Sequence, residues 1–277
     1  MGENATAMRT GQVTPGARRW WSAAPGILRT VVRCAGFALA LTLAAVDYAR
    51  VRFLCRHLDQ VARRALWLHR LCRVLTRVIG MDLRHSGAPP DSGLIVSNHL
   101  SYLDIIAYSA LVPCVFIAKS EVARWPIFGR FARMAGSVFV DRTRRMKVAD
   151  ANRLIADVLT SGAVVILFAE GTSSDGRTVL PFRSSLLESV AVSLCPVIPA
   201  AIGYELSDGS VAEEVCYWGD MTLLPHLLNL FSKRTIRTRV AFGCGGVETI
   251  PSSRKEAAQM LHRQVSELHA SLERREG

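Results

Sequence analysis

From residue 80 onward, short runs of consecutive apolar residues alternate with stretches in which apolar residues recur at helical spacing. Leu94-Ile95-Val96, Val115-Phe116-Ile117-Ala118, Ser137-Val138-Phe139-Val140, Val164-Val165-Ile166-Leu167-Phe168, Val197-Ile198-Pro199-Ala200-Ala201 and Thr238-Arg239-Val240-Ala241-Phe242 read as buried strands. Between them, Val148, Ala151, Leu154, Ile155, Val158 and Leu159 predict a helix over 147–160, closed by Gly162. Ala257, Leu261, Val265, Leu268 and Leu272 predict another from Arg254 to Arg274. A third helix follows Leu94-Ile95-Val96. Ser101 and Asp104 have the spacing of a capping box, with Ser101 as the N-cap, and Ile105, Ile106 and Tyr108 continue the helix. Unbroken apolar strands are covered on both faces. The pattern therefore predicts an α/β fold, a mixed sheet flanked by helices, without internal repeats. A chain of 277 residues suits one such domain with an appendage.

The appendage is N-terminal. Cys34 to Val46 carries no charge but covers only ~20 Å as a helix, against ~30 Å of bilayer hydrocarbon. Extending it back to Gly26 takes in Arg29 and Arg33, which can snorkel to headgroups. A single full span and burial in one leaflet both fit, the second better. From Val61 to Ile79, Leu66, Leu68, Leu71, Leu75 and Val78 are interspersed with five arginines, the pattern of a basic interfacial helix. Residues 25–79 thus read as a helical hairpin dipping into an anionic leaflet. Residues 1–24 read as a disordered basic tail, and 80–277 as a separable domain that stays soluble without them.

Charge sharpens this picture. Net charge is +11, of which residues 1–80 carry +10, with thirteen Arg, no Lys and three acids. A basic, apolar segment fits anionic lipid better than nucleic acid, because aromatics are sparse and no reading motif occurs. A secretory signal over 18–46 fits poorly, since its apolar run starts late and another basic helix follows. Met1-Gly2-Glu3-Asn4-Ala5-Thr6 matches the permissive myristoylation pattern. The seven cysteines are scattered, lack C-x-x-C spacing, and read as reduced core thiols facing the cytoplasm. No His/Cys cluster has zinc spacing, and no P-loop or G-x-G-x-x-G occurs, so no metal and no bound cofactor is expected.

Polar residues gather where the strands stop: His99, Asp141-Arg142, and Glu170-Gly171-Thr172. Strand carboxyl ends line the ligand crevice of open α/β sheets. Within one helix, five residues turn through roughly 500°, which separates their side chains. Across a strand-helix turn, however, Asp104 can reach back to a ring nitrogen of His99 and fix its tautomer. The simpler alternative is that Asp104 only caps the helix and His99 only meets a backbone carbonyl. Arg142, with Arg144 and Arg145, equally fits a solvated loop.

Four blocks in order resemble the glycerophospholipid acyltransferases of the 1-acylglycerol-3-phosphate acyltransferase type. They are Asn98-His99-Leu100-Ser101-Tyr102-Leu103-Asp104, Gly136 to Arg142, Phe168-Ala169-Glu170-Gly171-Thr172, and Val197-Ile198-Pro199-Ala200. The resemblance covers about residues 80–245. It implies that His99 is the general base on an acceptor hydroxyl, with Asp104 as its orienting partner. It also implies that acyl-CoA or acyl carrier protein donates the acyl group without an acyl-enzyme, which agrees with the absence of a G-x-S-x-G elbow. Arg142, Glu170, Gly171 and Thr172 would contact the lyso-lipid acceptor. The enzyme would sit on the cytoplasmic face of the inner membrane, monotopic or single-pass, with anionic lipids around it. The third block of such enzymes commonly ends in Arg, and here the position holds Ser173, which cannot supply that charge. Either Arg177 or Arg183 replaces it and the acceptor is 1-acyl-sn-glycerol-3-phosphate, the first reading, or the acceptor has no phosphate. The stretch from Glu170 to Gly176, Leu180-Pro181-Phe182-Arg183-Ser184-Ser185, and Trp218-Gly219-Asp220-Met221 also resemble the acyltransferases that complete ornithine lipids. A non-catalytic lipid binder and a thioester hydrolase are the alternatives of other classes.

Overall fold

The computed structural model describes residues 24–124, 128–140, 154–187, 195–243, 251 and 253–274. Seven strands form one sheet in the order β1-β7-β6-β2-β5-β3-β4. They are β1 (Met81–Ser86), β2 (Gly93–Ser97), β3 (Cys114–Lys119), β4 (Val138–Val140), β5 (Val164–Phe168), β6 (Val197–Leu206) and β7 (Ile236–Phe242). Strands β2 to β6 run parallel to one another, while β7 pairs antiparallel with β6 and parallel with β1. The sheet is mixed, as the sequence predicts. β2 and β5 lie at its centre with every residue buried.

Helices cover both faces. On one side lie α1 (Ala24–Leu54), α2 (Gln60–Ile79), α3 (Leu103–Leu111) and a later helix at Leu223–Ser232. The C-terminal helix, Arg254–Arg274, seals the other, with Leu261 and Val265 fully buried. Of the expected 147–160 helix, residues 154–160 are helical and the rest lie outside the described residues. Two strand expectations change. β1 was not apparent in the sequence, because Asp82, Arg84 and His85 interrupt its apolar residues at the sheet's edge. β6 runs five residues beyond Ala201.

The hairpin is present, and its faces differ from the expectation. α1 and α2 pack antiparallel, with the Trp67 indole N–H donating to the Ala44 carbonyl at 2.9 Å and Arg70 paired with Asp47 at 3.0 Å. The apolar face of α2 does not turn to lipid. Trp67, Leu71, Leu75 and Ile79 are buried in the same core as Tyr108 and Phe168. α2 is therefore part of the domain, and cutting at residue 79 would uncover that core rather than release a finished one. Arg29 and Arg33 do not snorkel either. Arg29 donates to the Ser232 carbonyl, and Arg33 to the carbonyls of Phe231, Lys233 and Arg234. They tie the start of α1 to the body. What α1 leaves uncovered is a stripe including Leu28, Val31, Val32, Leu39, Leu43, Val46 and Phe53, each more than half exposed.

Candidate active site

The register places the site. Ser97 of β2 is level with Phe168 of β5, so His99 and Glu170 stand side by side two residues beyond the strands. Ser97 is also level with Ala200, and β6 carries on past it to Tyr204. Asn98 fills the gap as a surrogate strand. Its amide donates to the Ile202 carbonyl and its oxygen accepts from the Ile202 N–H, both at 2.9 Å. The turn that carries His99 is thereby fixed to β6.

His99 and Asp104 meet as expected across the strand-helix turn, with Nδ1 to Oδ2 at 2.7 Å. Asp104 is fully buried. Its Oδ2 also accepts from the backbone N–H groups of Leu100 and Ser101, at 2.7 and 3.1 Å. Its Oδ1 accepts from the Tyr204 hydroxyl at 2.5 Å. Four donors thus converge on one side chain, and a carboxylate, acceptor at both oxygens, satisfies them all. Burial, then Asp104 beside it, pushes the Tyr204 hydroxyl well above its ordinary value, so it remains a donor. The capping box forms only by half. Asp104 reaches back to the turn, but α3 begins at Leu103 and the buried Ser101 hydroxyl makes no hydrogen bond.

The His99 ring lies flat on Phe168, centroids 4.1 Å apart and planes 11° from parallel. With Nδ1 committed as donor to Asp104, Nε2 carries the lone pair. The side chain keeps 22 % of its surface exposed while Asp104 keeps none. A basic nitrogen held in one tautomer on a partly exposed ring can take a proton from a bound hydroxyl.

The expected acceptor residues separate into three groups. Glu170 and Gly171 are at the site but buried, and Thr172 is the exposed member of the block. Gly171 takes φ +76° to turn the chain back, a conformation that favours glycine. Arg183 is at the site too: its N–H donates to the Ala169 carbonyl and its Nε to the Glu170 carbonyl at 3.2 Å. Arg177 is not. It pairs with Asp175 and lines a cavity of about 250 Å³ under the C-terminal helix, which His99 does not touch. Arg142 lies outside the described residues. Ser173 donates to the Tyr217 carbonyl, the Ser174 N–H to the His99 carbonyl, and the Tyr217 N–H to the Leu100 carbonyl. The hydroxyl in the position of the missing cation therefore clips two loops around the histidine. Asn98 and Phe168 lie in the blocks that carry the resemblance but had no role assigned there, and Tyr204 lies outside them. For Tyr204 a signal existed, since Ala200, Ile202 and Tyr204 alternate onto one face if the strand is extended.

Both Glu170 carboxyl oxygens are buried, and among the described residues no donor meets them at full hydrogen-bond geometry. Burial pushes this carboxyl up to about 8, Asp104 adds to the rise, and the nearby backbone N–H groups of Leu180 and His99 oppose it. Between the ordinary carboxylate range and about 8, the folded chain holds a proton that the unfolded chain has lost. Its contribution to stability is full below that window and fades as pH rises through it. Glu170→Gln, neutral throughout, is expected to flatten this decline. Unfolding midpoints of both proteins from pH 5 to 8 check it; parallel curves would contradict it.

A family model described as Acyltransferase matches residues 81–203. The lyso-ornithine lipid O-acyltransferase of Brucella abortus is 37 % identical over 213 residues, 71 % of this chain and 79 % of that protein. That of Rhizobium meliloti is 33 % identical over 256 residues, 86 % of each. The chain belongs to the acyltransferase family. Its relatives also include the 1-acyl-sn-glycerol-3-phosphate acyltransferase of Neisseria meningitidis, 34 % identical over 167 residues, 60 % of this chain and 65 % of that protein. The fold of this acyltransferase matches the crystal structure of the 1-acyl-sn-glycerophosphate (LPA) acyltransferase PlsC from Thermotoga maritima. The TM-score is 0.67 at 20 % identity, covering 90 % of this chain and 96 % of that one.

Proposed function

We propose that this acyltransferase moves a fatty acyl group from acyl-CoA or acyl carrier protein to the hydroxyl of a lyso-lipid, with lyso-ornithine lipid as the preferred acceptor and His99 as general base. Nε2 of His99 takes the hydroxyl proton as the oxygen attacks the thioester carbonyl. The tetrahedral intermediate then expels the thiolate, which leaves with that proton. Asp104 holds the ring and faces the imidazolium formed between the two steps.

The observation that carries the choice of acceptor is Ser173. It is neutral, and its hydroxyl is spent on Tyr217. Arg177 faces another cavity. Among the described residues, Arg183 is left as the guanidinium anchored at the Glu170 turn, where it can pair with the carboxylate of a lyso-ornithine lipid. The long-range similarity to the Brucella and Rhizobium lyso-ornithine enzymes supports the same order. 1-Acyl-sn-glycerol-3-phosphate is the second reading, favoured by the Neisseria relative. A mixed pool of both acceptors, with products weighed by mass spectrometry, is expected to yield chiefly the diacyl ornithine lipid.

The same reading seats the enzyme on the cytoplasmic face of the inner membrane through the exposed stripe of α1. The helix has the length and composition of a membrane span. However, α2 covers its inner face, and Arg29 and Arg33 bind its start to the body. A crossing would take those partners into the hydrocarbon, so insertion in one leaflet fits better.

A further inference from the structure

At the closed end of the hairpin, α1 and α2 enclose a small cavity of about 210 Å³. Among the described residues its walls are Tyr48, Val51, Arg52, Gln60, Arg63 and Arg64, with no acid. Arg70, two turns further along α2, is paired with Asp47. Arg52, Arg63 and Arg64 make no ion pair among the described residues. The Nε of Arg64 is buried and has no hydrogen-bond partner. Its stem is pinned against Gly136, where even a Cβ would come within 3.1 Å of Cδ.

Three arginines lining one small space place like charges near one another, and a buried N–H without an acceptor costs further free energy. An oxyanion relieves both, and guanidinium forks match the tetrahedral oxygens of a phosphate. The neighbouring surface indicates its source. The apolar stripe of α1 runs down to this end, where Phe53 and Leu54 are exposed and the Arg56 guanidinium sits 5.8 Å from the Phe53 ring centroid. We propose that the cavity binds the headgroup phosphate of an anionic membrane phospholipid, fixing the depth and rotation of the hairpin in its leaflet. The inference rests on the membrane-seated reading of α1. It concerns a site separate from the histidine, at the opposite end of α2 from the residue that leads into β1.

The test compares the full chain with Arg63→Gln/Arg64→Gln and with Arg73→Gln/Arg77→Gln. The second pair removes equal charge from the exposed face of α2. Binding is titrated on vesicles of phosphatidylcholine with and without phosphatidylglycerol at physiological salt. Both pairs lose the diffuse attraction that any basic residue near an anionic surface supplies. The cavity pair also loses charge-assisted hydrogen bonds to the phosphate, and is expected to lose at least about tenfold more than the control pair. The difference should vanish on phosphatidylcholine alone. Equal losses would mean a diffuse field and would overturn the site. Failure of the wild-type chain to bind either vesicle would remove the membrane-seated hairpin and this lipid with it. In a parallel arm without vesicles, millimolar inorganic phosphate at constant ionic strength is titrated against thermal stability. Phosphate stabilisation that needs Arg63 and Arg64, without a vesicle difference, would assign the cavity to a soluble phosphate instead. Should the double variant fail to fold, Arg63→Gln alone leaves the Arg64 stem in place and is read the same way.

Discussion

His99→Ala leaves a folded, membrane-binding protein that has lost acyl transfer. The expected fall in kcat/KM is about 10²–10⁴-fold, the usual contribution of a positioned general base. KM for the acceptor should change little, because the imidazole takes the proton during attack rather than holding the headgroup. Stability should change little as well. The ring is partly exposed, and its removal leaves Asp104 with three of its four donors, the Leu100 and Ser101 N–H groups and the Tyr204 hydroxyl. A water can take the place of Nδ1. Steady-state kinetics with acyl-CoA, beside an unfolding curve, check both halves. Retained turnover would sink the base assignment.

Asp104→Asn is expected to damage both catalysis and stability. The carboxamide keeps the shape but turns one acceptor into an NH2 group. Whichever way it is placed, that group faces donors: His99 and two backbone N–H groups on one side, Tyr204 on the other. If it faces Tyr204, His99 keeps an acceptor but loses the charge that stabilises its imidazolium. If it faces His99, the ring is driven to the wrong tautomer and Nε2 carries the proton. Either way kcat should fall, by up to about 10⁴-fold, the loss seen for the same change in a His-carboxylate pair of a triad. A buried donor left without an acceptor costs about 1–3 kcal/mol. For a chain of this size about 2 kcal/mol lowers the melting temperature by roughly 4–8 °C. His99→Ala and Asp104→Asn should therefore separate cleanly: both inactive, only the second destabilised. A melting temperature for Asp104→Asn equal to that of wild type would mean that the four donors do not depend on the charge.

That pair was legible in the sequence because its cause is local. An apolar strand, a turn and an acid in the first helical turn bring His99 and Asp104 together within six residues. The central strands were legible for a similar reason, since β2 and β5 are apolar throughout. What escaped depends on distant chain. Tyr204 reaches Asp104 from a hundred residues away, because β6 outruns β2 and passes over the turn. β1 is recognisable as a strand chiefly by its pairing with β7. The α2 helix has the amphipathic pattern of an interfacial helix, and periodicity does not say whether lipid or protein covers the apolar face. Here protein does so: α3 through the bond between the His69 ring and the Ser109 carbonyl, and Tyr48 and Phe131 against the Trp67 ring. Arg29 and Arg33 looked like snorkelling cations for the same reason. Their partners are carbonyls some two hundred residues away.

Ser173 joins the two scales. Its identity was visible as a departure from a charged position, and its contact with Tyr217 shows how the hydroxyl is used. The mixed-acceptor assay tests the account most directly. Purified full-length protein receives one acyl-CoA and equal amounts of lyso-ornithine lipid and 1-acyl-sn-glycerol-3-phosphate, with His99→Ala run beside it. The account predicts diacyl ornithine lipid as the main product, thiol release only when an acceptor is present, and neither from the variant. Phosphatidic acid as the sole product, or thiol released without an acceptor, would contradict it.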